Sequence, residues 1–311
     1  MTFAQFMALA LYDPNVGYYR RPQKRIGYEP GTDFFTASTS GPVFGELITA
    51  ACVSLLGEAD PGVFHFIEIG AEPSPPTAVD ATSGVLTGVT HPFATARTVG
   101  LGQPLELAGN CIVFSNELFD AQPFHRFVFR HGSWRELGVA LQGDELAMTE
   151  LTTRTPIALP ETAEEGYLID APLAATGLIE SIVSPRWTGL FVAVDYGKSW
   201  RELTEATPQG TARAYFRHTQ SNRLLAHPGD QDLTCHICWD WLETALKKHG
   251  FSQTAVESQE SFFVRRAGRY IARASAEDAA HFSQRKGSLA QLLLPAHLGQ
   301  KFQVLHARRF G

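Results

Sequence analysis

Cysteine is scarce in this sequence, and long apolar runs are missing from it. Its four cysteines, at positions 52, 111, 235 and 238 of 311 residues, stand in contexts typical of a helix, a strand and a helix start, which does not favour a disulfide framework. No segment approaches the roughly 18 apolar residues of a membrane-spanning helix. The first residues also lack the basic and then apolar order of an export leader. We therefore expect a cytoplasmic protein with reduced thiols and no membrane partner.

Basic residues are also in short supply, since 26 Lys and Arg stand against 32 Asp and Glu, for a formal net charge of −6. A general nucleic-acid binder carries an excess of positive charge, so no nucleic-acid partner is expected. The cysteine spacing does not indicate a metal site either. The segment Cys235-His236-Ile237-Cys238 has no second Cys/His cluster at a suitable spacing, and a structural zinc site needs four ligands. This segment is predicted to begin a helix and to hold no metal.

Apolar residues are plentiful and patterned. With 44% hydrophobic and 19% charged residues, the chain has the composition of a globular protein that forms a core. The apolar runs at 64–69, 109–115 and 189–195 are typical of buried parallel strands. Helical spacing of apolar residues predicts helices over 3–11 and 42–56. Strands that alternate with helices in this way indicate an α/β protein.

Residues 124–151 alternate with period two around a glycine turn, which predicts an antiparallel ribbon inserted in the sheet domain. Further predicted elements are a short helix over 93–97, a strand and a helix over 168–183, a polar loop over 198–232, a helix over 235–249 capped by Thr234, a strand pair over 251–257 and 261–265, and two packed pieces at 289–294 and 302–305. We predict three parts: an N-terminal helical segment with a lid loop (1–60), a sheet domain with the ribbon (61–267), and a C-terminal extension packed on the domain (268–311).

Polar side chains stand at or just beyond the carboxyl ends of three of the predicted strands. They are Glu68 and Glu72 at the first, Asn116, Glu117 and Asp120 at the second, and Asp195 at the third. In a doubly wound sheet, the carboxyl ends of the parallel strands meet at one edge, where ligands bind. Each acid taken alone is commonly a helix cap or a turn former. Their convergence at one edge is what predicts a site.

Longer stretches of the sequence occur in the order of one known family. They are Leu9-Ala10-Leu11-Tyr12-Asp13-Pro14, Gly17-Tyr18-Tyr19, Gly31-Thr32-Asp33-Phe34-Phe35-Thr36-Ala37, Phe44-Gly45-Glu46, Glu68-Ile69-Gly70, Ser115-Asn116-Glu117-Leu118-Phe119-Asp120-Ala121-Gln122-Pro123, Asp195-Tyr196-Gly197 and Pro228-Gly229-Asp230-Gln231-Asp232-Leu233-Thr234. Through them, and over nearly its whole length, the sequence resembles the MidA-like family of class I S-adenosylmethionine-dependent methyltransferases. Mitochondrial members of that family help assemble respiratory complex I and methylate arginine.

The resemblance implies a Rossmann-like, mostly parallel seven-stranded sheet with S-adenosylmethionine bound at its carboxyl edge. The implied cofactor-binding residues are Gly31, Asp33, Thr36, Glu68, Gly70, Glu72 and Asn116. The implied catalytic residues are Glu117, Asp120 and Asp195. Glu117 would hold the guanidinium of a protein arginine in a bidentate pair for in-line methyl transfer, and one of the aspartates would support it or accept the released proton.

Two departures from the family pattern leave alternatives open. The loop after Gly70 reads Ala71-Glu72-Pro73, although permissive glycines are expected there. No Asp or Glu occurs from 81 to 105, where an acid about 20 residues after the glycine loop grips the ribose in comparable folds. One alternative is a catalytically degenerate relative that acts as a binding or assembly factor. Another alternative is that these acids only cap helices and that the chain resembles the family in its fold alone.

Overall fold

The computed structural model describes residues 1–21, 25, 32, 41–71, 84–151, 157–279 and 283–310. These residues fall into two units. The first unit comprises Met1–Phe34, Phe119–Ile179 and Gly197–Leu242, and the second comprises Phe35–Leu118, Glu180–Tyr196 and Glu243–Gly311. Each unit is therefore assembled from three separate stretches of the chain.

Eight helices and fifteen strands lie within the described residues. The helices are α1 Phe3–Tyr12, α2 Pro42–Leu56, α3 Leu173–Val183, α4 Trp200–Glu205, α5 Trp239–Lys248, α6 Gln259–Arg266, α7 Gly268–Glu277 and α8 Gln284–Leu293. The strands are β1 His65–Ile69, β2 Thr95–Val99, β3 Gly109–Asn116, β4 His125–Arg130, β5 Ser133–Gln142, β6 Glu145–Leu151, β7 Leu168–Ala171, β8 Trp187–Asp195, β9 Gly197–Lys198, β10 Arg213–Phe216, β11 Thr219–Ser221, β12 Asp232–Thr234, β13 Ile237–Cys238, β14 Ser252–Ser258 and β15 Gln303–Arg309. Within the described ranges, each helix is too short or too polar to cross a membrane.

A six-stranded sheet with the order β14-β15-β8-β3-β1-β2 forms the centre of the second unit. Strands β8, β3, β1 and β2 are parallel, and β15 runs antiparallel to both of its neighbours. The predicted mostly parallel sheet with one reversed strand near an edge is confirmed. The described residues supply six strands to this sheet, one fewer than predicted. They place turns, and no helix, in residues 84–94 of the connection from β1 to β2.

Helix α2 supplies much of the core of the second unit. It begins at Pro42, a position where an N–H would have no partner within the helix, so the proline costs no helical hydrogen bond. It ends before Gly57, which has a φ of +65°. Phe44 and Leu47 are fully buried, and the ring of Phe44 lies 6.4 Å from that of Phe114 in β3. Full burial of one such side chain contributes about 1.5–3 kcal/mol. The predicted helix over 42–56 is therefore confirmed.

Two antiparallel sheets lie in the first unit. One has the order β6-β5-β4-β7 and the other β11-β10-β12, which confirms the predicted ribbon. The turn between β4 and β5 consists of His131 and Gly132, with φ of 52° and 72°, values that suit a tight hairpin. Helix α1 packs against β4 and β5, and the side chains of Thr2 and Gln5 form a capping box at its start.

Two predictions of element type are wrong. Residues 93–97, predicted as a short helix, run into β2, which pairs in parallel with β1. Residues 261–265, predicted as a strand, lie in α6, and the antiparallel partner of β14 is β15 near the chain's end. Phe262 and Phe263 are both fully buried. Adjacent side chains point to opposite faces of a strand, whereas a helix can turn both toward one core.

The predicted start of the helix over 235–249 is also wrong. Helix α5 begins at Trp239, and Thr234 ends β12 instead of capping a helix. Ile237 and Cys238 are held in extended backbone because they pair in parallel with β9. The predicted end is confirmed, since α5 stops at Lys248 and Gly250 follows with a φ of +81°. The predicted polar loop over 198–232 contains α4, β10 and β11.

Candidate active site

The carboxyl ends of β1, β3 and β8 lie at one edge of the sheet in the second unit, because these strands are parallel neighbours. Gly70 directly follows β1, is exposed, and has a φ of +82°. Its N–H donates to the carbonyl oxygen of Val99 at 2.9 Å. A Cβ at this position would lie 2.7 Å from Cδ1 of Leu118. Glycine therefore permits both this left-handed turn and the close packing of Leu118 against it.

Glu117 follows β3 in a left-handed backbone conformation, with a φ of 50°. For a residue with a Cβ this conformation costs roughly 1–2 kcal/mol, and such strain clusters at functional sites. The N–H of Glu117 donates to the carbonyl oxygen of Val194 at 2.9 Å. Its carboxylate Oε1 accepts a hydrogen bond from Nδ2 of Asn116 at 3.1 Å. Backbone and side chain are thus both fixed by neighbours at the edge of the sheet.

Two buried acceptors at the end of β3, Oδ1 of Asn116 and Oγ of Ser115, have no hydrogen-bond partner among the described residues. Leaving a buried polar atom unpaired costs about 1–3 kcal/mol, so each such atom calls for a reason. The amide of Asn116 is oriented because its Nδ2 donates to Glu117. Its carbonyl oxygen is therefore left without a donor among the described residues.

Asp195 ends β8 and is fully buried. Its Oδ1 accepts a hydrogen bond from the N–H of Tyr196 at 2.9 Å. The ring of Tyr196 lies 5.6 Å from that of Phe302, which fixes the residue that follows the strand. The structure thus places Gly70, Asn116, Glu117 and Asp195 at the edge of one sheet, as the sequence predicted.

Glu68 lies within β1 and is 9% exposed. Its Oε2 accepts a hydrogen bond from the N–H of Val85 at 2.6 Å, and a Cβ on Gly84 would lie 2.6 Å from the same oxygen. Burial raises the pKa of Glu68 to about 7, although the bond from Val85 opposes that rise. This carboxyl therefore anchors the turn that begins at residue 84 of the connection from β1 to β2.

Replacement of Glu68 should change how the free energy of unfolding depends on pH. Because the folded-state pKa of about 7 exceeds the unfolded value of about 4.3, the folded state binds the proton more tightly. Stability is therefore lost as pH rises through this window, by about 4 kcal/mol in full. We expect Glu68→Gln to gain stability relative to the parent protein between pH 5 and pH 8, measured by urea unfolding. The exposed Glu106→Gln is the control, and an equal pH slope in both variants would contradict the assignment.

Asp120 belongs to the first unit, where it is 3% exposed. Its carbonyl oxygen accepts a hydrogen bond from the N–H of Cys235 at 3.0 Å. Nearby, Tyr12 Oη donates to the carbonyl oxygen of Ala121 at 2.8 Å, and Tyr19 Oη donates to Oδ1 of Asp232 at 3.0 Å. The pKa of each tyrosine is raised, first by burial and then by the charges of Asp232 and Asp120. Both phenols therefore stay protonated and act as donors.

Sequence reasoning gave no role to this group of Tyr12, Tyr19 and Asp232. All three residues stand in stretches that carry the family resemblance, and that was their only signal in the sequence. Their grouping depends on α1 and β12 meeting in the fold. Four predicted cofactor-binding residues, Gly31, Asp33, Thr36 and Glu72, lie outside the described residues.

The four cysteines are free and buried. No group of three or more His, Cys, Asp or Glu side chains in the described ranges could hold a metal ion. His236 lies between Cys235 and Cys238, and burial, aided by the charges of Lys198 and Arg213, lowers its pKa to about 4. Its imidazole is therefore neutral at pH 7.

A cavity of about 910 Å³ opens in the first unit. Val128, Leu137 and Met148 give it an apolar floor, while basic and acidic side chains both line it. Of the arginines that line it, Arg126 is paired with Asp170 at 2.8 Å. Because charges of both signs are present, the cavity favours no particular ligand charge.

Comparisons with solved structures agree on the fold. The chain aligns with a crystal structure from Burkholderia thailandensis, bound to S-adenosyl-homocysteine, with a TM-score of 0.83 and 22% identity over 99% of this chain and 88% of that one. A native crystal structure from the same organism gives a TM-score of 0.78 at 21% identity over 99% and 87%. These likenesses confirm the predicted methyltransferase-type α/β fold.

Comparisons of sequence point the same way. "Protein arginine methyltransferase NDUFAF7, mitochondrial" of Danio rerio is 24% identical over all of this chain and 85% of its own length, and that of Mus musculus is 24% identical over all of this chain and 82% of its length. A family model described as "S-adenosyl-L-methionine-dependent methyltransferase" matches residues 101–256, which is half of the chain. The match includes the ends of β3 and β8, where Glu117 and Asp195 stand. This chain belongs to the MidA-like family of S-adenosylmethionine-dependent methyltransferases.

Proposed function

We propose that this protein transfers the methyl group of S-adenosylmethionine to a side-chain nitrogen of arginine in another protein. The observation that carries the proposal is Glu117, a carboxylate held in strained backbone and bonded to Asn116 at the edge of the sheet. The names of the two curated relatives support the choice of arginine. Membership in the family supports the choice of cofactor.

The residues at the edge of the sheet fit the cofactor. Gly70 forms an exposed turn without a side chain. The buried Oδ1 of Asn116 and Oγ of Ser115 have no hydrogen-bond partner among the described residues. When bound, S-adenosylmethionine would supply a methyl group on a sulfonium, and its thioether would leave as S-adenosylhomocysteine when the acceptor nitrogen takes that methyl group. We propose that Gly70, Asn116 and Glu68 help to hold it. Gly31, Asp33, Thr36 and Glu72 remain predicted members of the same set.

The acceptor is held by Glu117 in this proposal. A guanidinium is planar and pairs with a carboxylate through two parallel hydrogen bonds, which would fix the direction of its remaining nitrogen. Most of the rate enhancement then comes from positioning and from complementary charge. The reacting nitrogen loses a proton during transfer, and Asp195 or Asp120 is the proposed acceptor of that proton.

A second candidate function is a binding or assembly factor without catalysis. One observation favours it: β2 is followed by Gly100, Leu101, Gly102 and Gln103, and no acid stands there. The Oε1 of Gln103 accepts a hydrogen bond from the N–H of Gly100 at 2.8 Å, so this side chain serves the local turn. A carboxylate for the ribose hydroxyls is missing at the position where comparable folds have one.

Methyl labelling separates the two candidates. The purified enzyme is incubated with tritium-labelled S-adenosylmethionine and with an extract of cells that do not make this enzyme. The extract proteins are then hydrolysed to amino acids. We expect the label in methylarginine, and only when the enzyme is present. Label in methyllysine would contradict the acceptor, and unlabelled protein would contradict catalysis and favour the binding factor.

A further inference from the structure

Strand β6 is an edge of the sheet with the order β6-β5-β4-β7. It is seven residues long and pairs with β5 without a shift in register. Among the described residues, no strand or isolated bridge pairs with its outer side. Its sequence, Glu-Leu-Ala-Met-Thr-Glu-Leu, contains neither proline nor lysine. Proteins commonly protect an exposed edge with those residues, with a bulge or with a very short strand, so this edge is suited to pairing with another chain.

Two other sheet edges are protected in these ways. At the opposite edge of the same sheet, β7 has only four residues, and the N–H of Leu168 donates to the carbonyl oxygen of Pro208 at 2.9 Å. At one edge of the six-stranded sheet, the register of β14 shifts between Ser252 and Ala255, as at a bulge. Strand β6 has neither protection, which distinguishes it from both edges.

The main-chain groups of Met148 point away from β5. Met148 lies opposite Val139 in the ladder between β5 and β6. The N–H of Val139 donates to the carbonyl oxygen of Met1 at 2.9 Å, and the carbonyl oxygen of Val139 accepts from the amino group of Met1 at 3.1 Å. Because Val139 uses both groups on Met1, it forms a non-hydrogen-bonded pair with Met148, which turns its own N–H and C=O outward. Leu146 and Glu150, two positions to either side, do the same.

We propose that β6 pairs antiparallel with β6 of a second copy of this chain, about a two-fold axis at Met148. Opposite residues of an antiparallel pair direct their main-chain groups alike, so outward-facing residues of one copy must meet outward-facing residues of the other. Pairing centred on Met148 meets this condition and uses all seven residues of the strand. A contact in which both copies use the same surface closes on itself and gives a dimer.

The side chains of β6 suit this pairing. Leu146 of one copy lies opposite Glu150 of the other, and the first residue of the strand, also a glutamate, lies opposite the last, a leucine. No two like charges are therefore opposed across the axis, where they would weaken the pairing. Leu146 and Met148 are half-buried and point to the same face of the sheet. Pairing would join the apolar surfaces of the two copies on that face.

Sedimentation equilibrium over a range of protein concentrations tests the proposal. We expect the parent protein to form a species of twice the mass of the chain as its concentration rises. Met148→Pro removes an outward N–H and spares the hydrogen bonds to β5, a position at which an edge strand tolerates proline. We expect this variant to be folded, by circular dichroism, and monomeric at every concentration.

A folded Met148→Pro that dimerises like the parent protein would overturn the proposal. A parent protein that stays monomeric would also overturn it and would leave the edge to an extended segment of a different protein. Neither measurement requires the cofactor, so the inference stands or falls independently of the proposed function.

Opposite charges at position 146 give a second test that does not depend on proline. Leu146→Lys places a cation opposite Glu150 of the second copy, whereas Leu146→Glu places a like charge there. The pair occurs twice in the symmetric dimer, so we expect the Kd of dimerisation to be about tenfold lower for the lysine variant than for the glutamate variant. Both substitutions remove the same apolar contacts within the chain. Equal Kd values, or the reverse order, would overturn the proposed pairing.

Discussion

Glu117→Gln should lower the rate constant of methyl transfer by about 10²–10³-fold while S-adenosylhomocysteine binds with an unchanged Kd. Removing one preorganised electrostatic partner of a reacting group has an effect of this size. The glutamine amide cannot form the charge-assisted bidentate pair with a guanidinium, although it can still accept a hydrogen bond from Asn116. The measurements are single-turnover transfer at saturating cofactor and calorimetric binding of S-adenosylhomocysteine.

Glu145→Gln, an exposed acid at the start of β6, is the control and should leave the rate unchanged. Glu117→Gly is an informative companion, because it removes the strain of a φ of 50° together with the carboxylate. We expect it to be more stable than the parent protein and inactive, a trade-off typical of strained functional residues. Equal loss of cofactor affinity and of transfer in Glu117→Gln would show instead that this residue holds the cofactor.

Asp170→Ala should destabilise the protein by about 3–5 kcal/mol. Asp170 is 1% exposed, and its Oδ1 accepts a hydrogen bond from Nη1 of Arg126 at 2.8 Å. Its Oδ2 accepts from the N–H groups of Thr211 and Ala212 at 2.6 and 2.8 Å. The substitution leaves the buried guanidinium without its counter-charge and two backbone donors without their acceptor. Urea unfolding measures the effect.

Glu150→Ala is the matched control for this buried pair. In the same sheet, Arg130 Nη1 and Glu150 Oε1 also lie 2.8 Å apart, but their side chains are 52% and 37% exposed. Exposed pairs of this kind contribute about 0–1 kcal/mol. A loss of 1 kcal/mol or less in Asp170→Ala would mean that the Arg126–Asp170 pair contributes no more stability than an exposed pair does.

Much of the fold could be predicted from the local sequence, because the strongest strands are short apolar runs. β1, β3, β8 and α2 were all placed correctly. The failures have a tertiary cause. β2 has mostly exposed or half-buried residues and is extended because β1 pairs with it. β14 pairs with β15, which lies about 50 residues later in the chain. No local sequence pattern indicates which distant strand β14 will pair with.

The candidate site divides in the same way. Asn116, Glu117 and Asp195 could be predicted because parallel strands bring their ends together whatever the details of the fold. The burial of Glu68 and its bond to Val85 were not predictable, since they depend on how the following connection turns.

Binding of S-adenosylmethionine at the carboxyl edge of the sheet is the property on which the proposed function depends. Its most direct test is unfolding of the parent protein by urea in the absence and presence of S-adenosylhomocysteine. At 100 times its Kd, a ligand that binds only the folded state raises the free energy of unfolding by about 2.7 kcal/mol, and we expect that increase. An unchanged free energy of unfolding at millimolar ligand would contradict this binding.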